Sequence, residues 1–290
     1  MTWHRFLVML PAIACVTLTG QSPAPAPLEN SGKPMRIPFS CSQEDLHSLG
    51  LTCPPDQPCP VYLELIGLEA LGNSIFAAGN LHTDDTTLFS ILLASYDGGR
   101  TWREPHERSR GAGLDLIQFI DVDTGWVSGQ SLGAVLRDPF LLLTGDGGGT
   151  WRSRPVFAES RAGVIDFFRF DSPTHGTLWI DRTQSGETAN RYEAYESMTG
   201  GESWMLKQTA ETPLRTGPRP TAPADWRLRA DPAAKAYRLE RRAGKAWELV
   251  ASFLIGVGEC REPEVTLPAE PDVPPPDEEH PQPPGAAQAR

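Results

Sequence analysis

Short apolar runs recur along the middle of the chain, and turn-forming residues separate them. In one stretch, an apolar run at Leu114–Ile120 is followed by the polar turn Asp121–Gly125 and by a second run at Trp126–Gly129. β-Branched and aromatic residues fill the runs, while Gly, Asp, Asn and Pro lie between them. This pattern predicts short β-strands. Sustained helical spacing does not occur, and Glu44–Gly50 predicts a single turn of helix.

The runs group into units of four predicted strands. The predicted strands of the first unit are Val61–Leu68, Ser74–Gly79, Phe89–Ser95 and a strand from Trp102 onward. Those of the second unit are Leu114–Ile120, Trp126–Gly129, Pro139–Thr144 and a strand from Thr150. Those of the third unit are Val164–Phe170, Gly176–Ile180, Tyr192–Ser197 and Trp204–Lys207.

Two series of aromatic residues keep register with these units. Trp102, Trp151, Trp204 and Trp247 form one series, and Phe76, Trp126, Trp179 and Trp226 form the other. Self-similarity at a period of about fifty residues indicates a repeat architecture. Four strands in each repeat are typical of a β-propeller blade, which must pack against neighbouring blades to bury its faces.

The expected fold is therefore all-β, a β-propeller of four-stranded blades. Four blades are recognisable and the fourth is degraded; a fifth requires strands from the cysteine-rich N-terminal segment or from Phe253–Val257. We expect a signal peptide (1–20), a Pro-rich linker (21–40), a Cys-rich segment (41–60), the propeller (61–260) and an acidic, Pro-rich disordered tail (261–290).

Each tryptophan of the first series closes a related octamer: SYDGGRTW, TGDGGGTW, SMTGGESW and the worn ERRAGKAW. The form Ser-x-Asp-Gly-Gly-x-Thr-Trp resembles the Asp-box (BNR-type) hairpin of sialidase-type propellers and of photosystem II stability and assembly factors. The phrase FIDVDTGWVSG at Phe119–Gly129 is more similar to the assembly-factor group. The resemblance covers residues 61–207 well and 208–258 weakly, and it implies a propeller rather than a particular activity.

The octamers predict structural hairpins. Paired glycines permit positive φ in a tight turn, and an aspartate beside them can accept backbone N–H groups. The aspartate position holds Asp97, Asp146, Thr199 and Arg242 in turn, whereas the tryptophan is constant, which favours packing over chemistry. The structural Asp-box residues are Ser95, Asp97, Gly98, Gly99, Thr101, Trp102, Asp146, Gly147, Gly148, Thr150, Trp151, Gly200, Gly201, Trp204 and Trp247.

Net charge and cysteine content indicate which partners and which cellular compartment to expect. The net charge of −11 argues against a nucleic-acid partner. An apolar stretch at Phe6–Leu18 indicates a secretory signal peptide and is too short for a transmembrane span; alternatively, Cys15 carries a lipid anchor. The mature chain keeps Cys41, Cys53, Cys59 and Cys260, an even number that predicts two disulfides. Each of the three pairings joins Cys260 to an N-terminal cysteine.

Catalytic and ligand-binding patterns give only weak alternatives. The sequence Arg36-Ile37-Pro38 is similar to a sialidase motif whose arginine binds the carboxylate of the substrate. Tyr237 with Glu240 is the available pair for a tyrosine nucleophile. Asp121 and Asp123 are interpreted as turn formers, and we expect neither a metal nor a cofactor. A basic stretch is read as a solvated face, with a site for an acidic partner as its alternative; it comprises Arg215, Arg219, Arg227 and Arg229.

The sequence therefore favours an exported, non-catalytic propeller in the periplasm or outside the cell. It would act as a binding or assembly scaffold for a protein partner in the cell envelope. The main alternative is a sialidase-like glycoside hydrolase or a glycan-binding propeller. A cell-surface structural protein presented on the proline linker is the third hypothesis.

Overall fold

The structure is a computed structural model that describes residues 26–132, 138–186, 191–214 and 223–263. The expected signal peptide, Cys15, Arg215, Arg219 and the acidic tail beyond Pro263 lie outside the described residues. Within those ranges the regular secondary structure is almost entirely β-strand, as the sequence predicts.

The described residues contain one α-helix, one turn of 3-10 helix and seventeen strands. Helix α1 is Gln43–Leu49, and the 3-10 turn is Thr183–Ser185. The strands are β1 Leu28–Glu29, β2 Cys59–Leu71, β3 Ser74–His82, β4 Thr87–Ser95, β5 Thr101–Trp102, β6 Ala112–Phe119, β7 Gly125–Ser131, β8 Pro139–Thr144, β9 Arg152–Pro155, β10 Val164–Phe170, β11 Gly176–Asp181, β12 Tyr192–Ser197, β13 Met205–Ala210, β14 Trp226–Asp231, β15 Ala236–Ala243, β16 Ala246–Leu254 and β17 Gly256–Cys260.

Four antiparallel sheets form the blades of the propeller. The first sheet has the strand order β17-β2-β3-β4, the second β6-β7-β8-β9, the third β10-β11-β12-β13 and the fourth β14-β15-β16. Each of the second, third and fourth sheets is a simple meander of consecutive strands. The first sheet instead combines both ends of the fold, since β17 pairs with the start of β2.

Strand β17 completes the first of the four blades and does not contribute to a fifth. Phe253 ends up in β16 of the fourth sheet, and Val257 lies in β17 of the first. The cysteine-rich segment forms α1, whose Ser42 and Asp45 cap each other reciprocally. The segments proposed for a fifth blade are therefore used elsewhere in the described chain.

Part of the predicted proline linker belongs to the folded core. Leu28 and Glu29 pair with Trp102 and Thr101, and the Met35 backbone bonds to Ser252 and Leu254 of β16. Met35 and Ile37 are buried, Ile37 completely. Arg36 between them is exposed, and its guanidinium donates to the Gly256 carbonyl at 3.2 Å. Isolated apolar side chains between prolines thus anchor this segment beside the first and fourth sheets.

Three apolar clusters hold the sheets together. One lies between the first sheet, the fourth sheet and the N-terminal segment, and it includes Trp102, Leu239 and Phe253. A second fills the space between the first and second sheets, around Phe76 and Trp151. The third lies between the second and third sheets. The sheets are therefore packed in the spatial order fourth, first, second, third.

Two disulfides are formed, Cys41–Cys260 and Cys53–Cys59. Two disulfides were expected, and this pairing is one of the three that the sequence left open. Cys260 faces Cys59 across the β17–β2 pair but bonds to Cys41. The Cys41–Cys260 bridge fastens the N-terminal segment to the last strand.

Candidate functional site

The first of three turns with paired glycines, which we call the first glycine turn (residues 95–102), contains a closed hydrogen-bond network. Ser95 Oγ donates to Asp97 Oδ1 at 2.8 Å and accepts the Gly99 N–H at 2.8 Å. Asp97 Oδ1 accepts the Thr101 N–H at 3.0 Å, and Asp97 Oδ2 accepts the Thr101 hydroxyl at 2.8 Å. Gly98 and Gly99 have positive φ, which only glycine adopts without strain.

The second glycine turn (residues 144–151) repeats this network with a threonine in place of the serine. Thr144 Oγ1 donates to Asp146 Oδ1 at 2.8 Å and accepts the Gly148 N–H at 3.0 Å. Asp146 accepts the Thr150 N–H and hydroxyl at 2.9 and 2.7 Å. Gly147 also has positive φ.

The third glycine turn (residues 197–204) keeps the geometry without an aspartate. The Thr199 hydroxyl accepts the Ser203 N–H at 3.0 Å, and the Gly201 N–H donates to Ser197 Oγ at 2.9 Å. Gly200 and Gly201 again have positive φ. A neutral hydroxyl therefore occupies the position of the carboxylates in the other two turns.

Hydrogen bonding lowers the pKa of both turn aspartates. The Thr101 backbone N–H is the largest cause at Asp97, whose pKa falls to about 2. The Thr150 backbone N–H has the same effect on Asp146. Because the folded-state pKa lies below the unfolded value, their contribution to stability is present above pH 4 and is lost as pH falls toward the folded pKa. Both side chains are charged acceptors at neutral pH.

Each glycine turn touches the preceding sheet. A Cβ on Gly99 would lie 2.6 Å from Val250 of the fourth sheet, and a Cβ on Gly148 would lie 2.5 Å from the Phe76 ring of the first. The Trp126 indole of the second sheet donates to the Gly200 carbonyl at 2.8 Å. In the first two turns this contact with the neighbouring sheet leaves no room for a Cβ, and in the third it is made through the Gly200 carbonyl.

The tryptophans at the ends of the four octamers differ in burial. Trp102 and Trp151 are buried, and their indole N–H groups donate to the Gly99 and Gly148 carbonyls. Trp204 is half-buried against Phe170, with ring centroids 5.9 Å apart. Trp247 is also half-buried, but it follows a two-residue hairpin turn at Gly244 and Lys245 rather than a glycine turn.

Trp247 lies on a cationic surface of the fourth sheet, next to the β15–β16 hairpin turn. The Arg227 and Arg242 guanidinium carbons lie 4.3 and 5.1 Å from its ring centroid. Leu228 and Leu239 pack into the core, so the alternate side chains of β14 and β15 project from the opposite side of the sheet. We call this surface the arginine face; it comprises Arg227, Arg229, Arg238, Arg242, Trp247 and the exposed Leu249.

The arginines of this face are of two kinds. Arg227 Nε donates to Glu240 Oε2 at 2.6 Å, and Arg238 Nε lies 3.1 Å from Glu240 Oε1, so both pair with a buried carboxylate. Arg229 and Arg242 are exposed and have no carboxylate partner among the described residues. Arg242 therefore presents a cation beside the half-buried indole, and Arg229 lies farther along the same face, opposite Arg238. Arginine guanidinium groups bind carboxylates and other anionic groups.

The sialidase-like set predicted from the sequence does not converge. Arg36 is exposed on the N-terminal segment and bonds to a backbone carbonyl. Tyr237 packs toward the core beside Leu239, whereas Glu240 projects from the other side of β15 toward Arg227. Tyr237 and Glu240 are therefore not a nucleophile pair.

A different tyrosine–glutamate pair exists that the sequence reasoning missed. Tyr195 donates to the buried Glu193 at 2.6 Å, and Glu193 also accepts from Arg161 at 2.8 Å and Arg182 at 3.1 Å. Burial and the Glu193 carboxylate raise the pKa of Tyr195. The alternation of Glu193 and Tyr195 along β12 was the available signal, but their arginine partners come from other loops. Both Glu193 oxygens are occupied, so this cluster is an internal ion-pair network.

The remaining acidic candidates also form local turns. Asp121 Oδ1 accepts the Asp123 and Thr124 N–H groups at 2.9 and 2.6 Å. Over the described ranges, His, Cys, Asp and Glu side chains do not gather in groups of three that could hold a metal ion. A helix long and apolar enough to cross a membrane is likewise absent from those ranges.

Neither a protein-family model nor a curated protein matches the sequence. Among solved structures, YCF48 bound to a D1 peptide is similar at 16% identity and a TM-score of 0.36, over 66% of this chain and 56% of that chain. A GH74 xyloglucanase from Xanthomonas campestris is similar at 18% identity and a TM-score of 0.35, over 63% and 28%. An α-L-arabinanase from Penicillium chrysogenum gives 14% identity and a TM-score of 0.35, over 78% and 66%.

These similar proteins are β-propellers and include both enzymes and a peptide-bound protein. The chain spans little more than half of YCF48 and less than a third of the xyloglucanase. The function of this chain is therefore argued from its own residues.

Proposed function

We propose that the protein is an exported, non-catalytic β-propeller that binds a protein partner through the arginine face of its fourth sheet. The observation that carries this proposal is Arg242, a cation without a carboxylate partner, whose guanidinium lies 5.1 Å from the ring centroid of the half-buried Trp247, with the exposed Arg229 farther along the same face. Tryptophan and arginine are the residue types that most often dominate the binding energy of protein interfaces.

The charge of the whole chain supports an acidic partner segment. The net charge is −11, yet the fourth sheet presents four arginines on one face. A local cationic surface on an anionic protein favours one binding orientation, because like charges elsewhere disfavour the alternatives. Two disulfides support an oxidising, exported environment for this interaction.

We also propose that the three glycine turns are Asp-boxes with a structural role. The aspartate carboxylates of the first two turns are filled by donors within the same turn. In the third turn, Thr199 serves the same backbone donor. A reaction would need a carboxylate with a free face toward a substrate, whereas these side chains are used to close their own turns.

Charge reversal tests the binding surface. The protein and an Arg229→Glu/Arg242→Glu variant would be used to capture partners from envelope extracts, with quantitative mass spectrometry as the readout. The matched control is Lys33→Glu/Arg169→Glu, which changes the net charge equally at exposed positions elsewhere. We expect at least one protein to be retained by the parent and the control and lost from the face variant. Equal capture by all three would overturn the proposed surface.

A glycoside panel tests the non-catalytic assignment separately. Glu193→Gln removes the carboxylate of the tyrosine–glutamate pair while preserving its shape. We expect no turnover of fluorogenic glycosides by the parent protein. Turnover by the parent that disappears in Glu193→Gln would instead establish the glycoside hydrolase alternative.

A further inference from the structure

We propose that the uncovered edge of β16 at Ala246–Leu249 binds an extended acidic segment of a partner protein, which becomes a fourth strand of the fourth sheet. In the part of the chain that the structure describes, the fourth sheet has three strands, whereas each of the other three blades has four. The acidic chemistry of the segment rests on the proposed function above, because it is drawn from the arginine face. The strand pairing rests on the backbone of β16.

The register of the β15–β16 hairpin directs backbone groups toward this edge. Ala243 and Ala246 face each other across a two-residue turn, in which Gly244 has a φ of +62°. A glycine at the first position of such a turn is typical of a type II′ hairpin, whose flanking residues bond to each other. Bonded and non-bonded pairs alternate along an antiparallel pair, so the N–H and C=O groups of Trp247 and Leu249 point away from β15.

This part of the edge is open to another chain. Among the described residues, Ala246–Leu249 makes no backbone hydrogen bond outside its pairing with β15. Ala246, Glu248 and Leu249 are exposed. An unpaired strand edge is a template for pairing, and an extended peptide that adds to it gains affinity from main-chain hydrogen bonds.

The other half of the same edge already carries an added segment of this chain. The Met35 N–H donates to the Ser252 carbonyl, and the Leu254 N–H donates to the Met35 carbonyl, in a parallel arrangement. Asn30 Nδ2 donates to the Val250 carbonyl. Before Asn30 the chain leaves β16 and pairs with β5 instead. The edge of β16 is therefore used for pairing as far as Val250 and is uncovered beyond it.

Local charge selects an acidic segment as the occupant. The side chains of Trp247 and Leu249 lie on the arginine face, and the Arg242 guanidinium lies 5.1 Å from the Trp247 ring centroid. The exposed Lys245 lies in the hairpin turn at the end of this edge. An added strand would lie about 4.8 Å from β16, so its acidic side chains on the arginine face would come beside Trp247 and these cations.

The same cations disfavour a second copy of this chain as the occupant. Two β16 edges that paired with each other would bring Arg242 and Lys245 of both copies to one junction. Like charges that meet across an interface oppose association, whereas carboxylates at the same positions favour it. The edge is therefore better suited to an acidic strand than to its own copy.

Site-resolved amide hydrogen exchange of the full chain tests the strand pairing. The probe is the synthetic peptide acetyl-Val-Glu-Val-Glu-Val-Glu-amide, whose carboxylates share one face when it is extended. At saturation we expect it to slow exchange of the Trp247 and Leu249 amides by about tenfold or more. The Glu248 amide faces β15 and is the internal control, which should not change. Unchanged exchange at Trp247 and Leu249 in about 1 mM peptide would overturn the proposal.

Two methylated peptides separate strand pairing from attraction between charges. One is N-methylated at its glutamates and the other at its valines, so both keep the charge of the unmodified peptide. A bound strand pairs through the N–H groups of alternate residues. We therefore expect one methylated peptide to bind about tenfold more weakly, through loss of backbone hydrogen bonds, and the other to bind like the unmodified peptide. Equal affinities of the two methylated peptides would overturn strand pairing.

Charge reversal and sedimentation test the choice of occupant. Arg242→Glu should weaken binding of the unmodified peptide by about tenfold. Arg169→Glu, at an exposed position on the third sheet, is the matched control and should bind it like the parent. Sedimentation velocity should show a monomer. A dimer that excludes the peptide would assign the edge to a second copy and overturn the proposal.

The outcomes distinguish this inference from the proposed function. If the two methylated peptides bind equally while Arg242→Glu removes binding, the arginine face binds acidic segments through charge and strand addition fails. If the Trp247 and Leu249 amides are protected while Arg242→Glu has no effect, the edge accepts a strand and the proposed function fails at this surface.

Discussion

Thr199 occupies the position that Asp97 and Asp146 hold in the other two glycine turns, so it shows what the side chain at this position does. Its hydroxyl accepts the Ser203 N–H and forms a second hydrogen bond with Ser203 Oγ at 2.9 Å. The carboxylates at Asp97 and Asp146 accept several donors each. The sequence already showed that this position varies, and the structure adds that the turn geometry survives the change.

An aspartate at this position should strengthen the third glycine turn. Thr199→Asp supplies charged acceptors to the Ser203 N–H and hydroxyl, and we expect a gain of about 1 kcal/mol in the free energy of unfolding. Guanidinium unfolding monitored by tryptophan fluorescence measures it. Thr199→Asn is the uncharged control and should gain less. A destabilised Thr199→Asp chain would contradict a purely structural role for the carboxylate.

The pKa of Glu69 in β2 gives a second prediction at the residue scale, and the sequence pattern did not indicate it. Burial raises the pKa of its carboxyl to about 7, although the Ala70 N–H donates to it at 3.0 Å. The folded pKa exceeds the unfolded value of 4.5. Between these values the folded state binds more protons than the unfolded state, so stability falls as pH rises.

Replacing Glu69 with Gln should flatten this dependence. Over the window from pH 4.5 to 7, the parent should lose on the order of 3 kcal/mol from this group. Urea unfolding across that window, compared between the parent and Glu69→Gln, isolates the difference. The exposed Glu248→Gln serves as the control. If the free energy of unfolding depends on pH in the same way in the parent and in Glu69→Gln, the raised pKa of the buried Glu69 carboxyl is contradicted.

At the scale of elements, most strands could be predicted because the apolar runs are bounded by turn-forming residues. Strands Pro139–Thr144, Val164–Phe170 and Tyr192–Ser197 have the predicted bounds. The predictions failed where pairing depends on distant chain. Strand β17 follows the fourth sheet in sequence but completes the first, and no local pattern encodes that partner. Similarly, burial of Ile37 depends on core contacts that a proline-rich composition conceals.

Close approach of the glycine turns to neighbouring sheets gives an element-scale prediction. Gly148→Ala would place a Cβ 2.5 Å from Phe76 at a residue with a φ of +80°. Overpacking and backbone strain should together cost about 2–4 kcal/mol. Gly145→Ala, in the same octamer but with open space around its Cβ, should be nearly neutral. Thermal unfolding of the two variants measures the difference, and equal midpoints would refute the inter-sheet contact.

For the whole molecule, the two disulfides constrain very different lengths of chain. Cys41–Cys260 closes a separation of 219 residues, and Cys53–Cys59 closes one of 6. The sequence required Cys260 to pair with the N-terminal segment but could not select the partner. That choice depends on where α1 and β17 place the thiols in space.

Removing each disulfide should therefore have unequal effects. On the loop-entropy scale, Cys41→Ala/Cys260→Ala should cost about 5 kcal/mol and Cys53→Ala/Cys59→Ala about 2 kcal/mol. Urea unfolding of both double variants provides the comparison. A larger loss for the short loop would show that the long-range bridge does not restrain the unfolded chain as proposed.

The proposed structural role requires the carboxylates of the glycine turns to stabilise the scaffold rather than perform a reaction. The direct measurement is the denaturant midpoint of an Asp97→Thr/Asp146→Thr chain, in which all three turns carry threonine as the third does naturally. We predict a lower midpoint than that of the parent, with a cooperative transition and unchanged capture of partners. An unchanged midpoint accompanied by loss of binding or turnover would contradict the account.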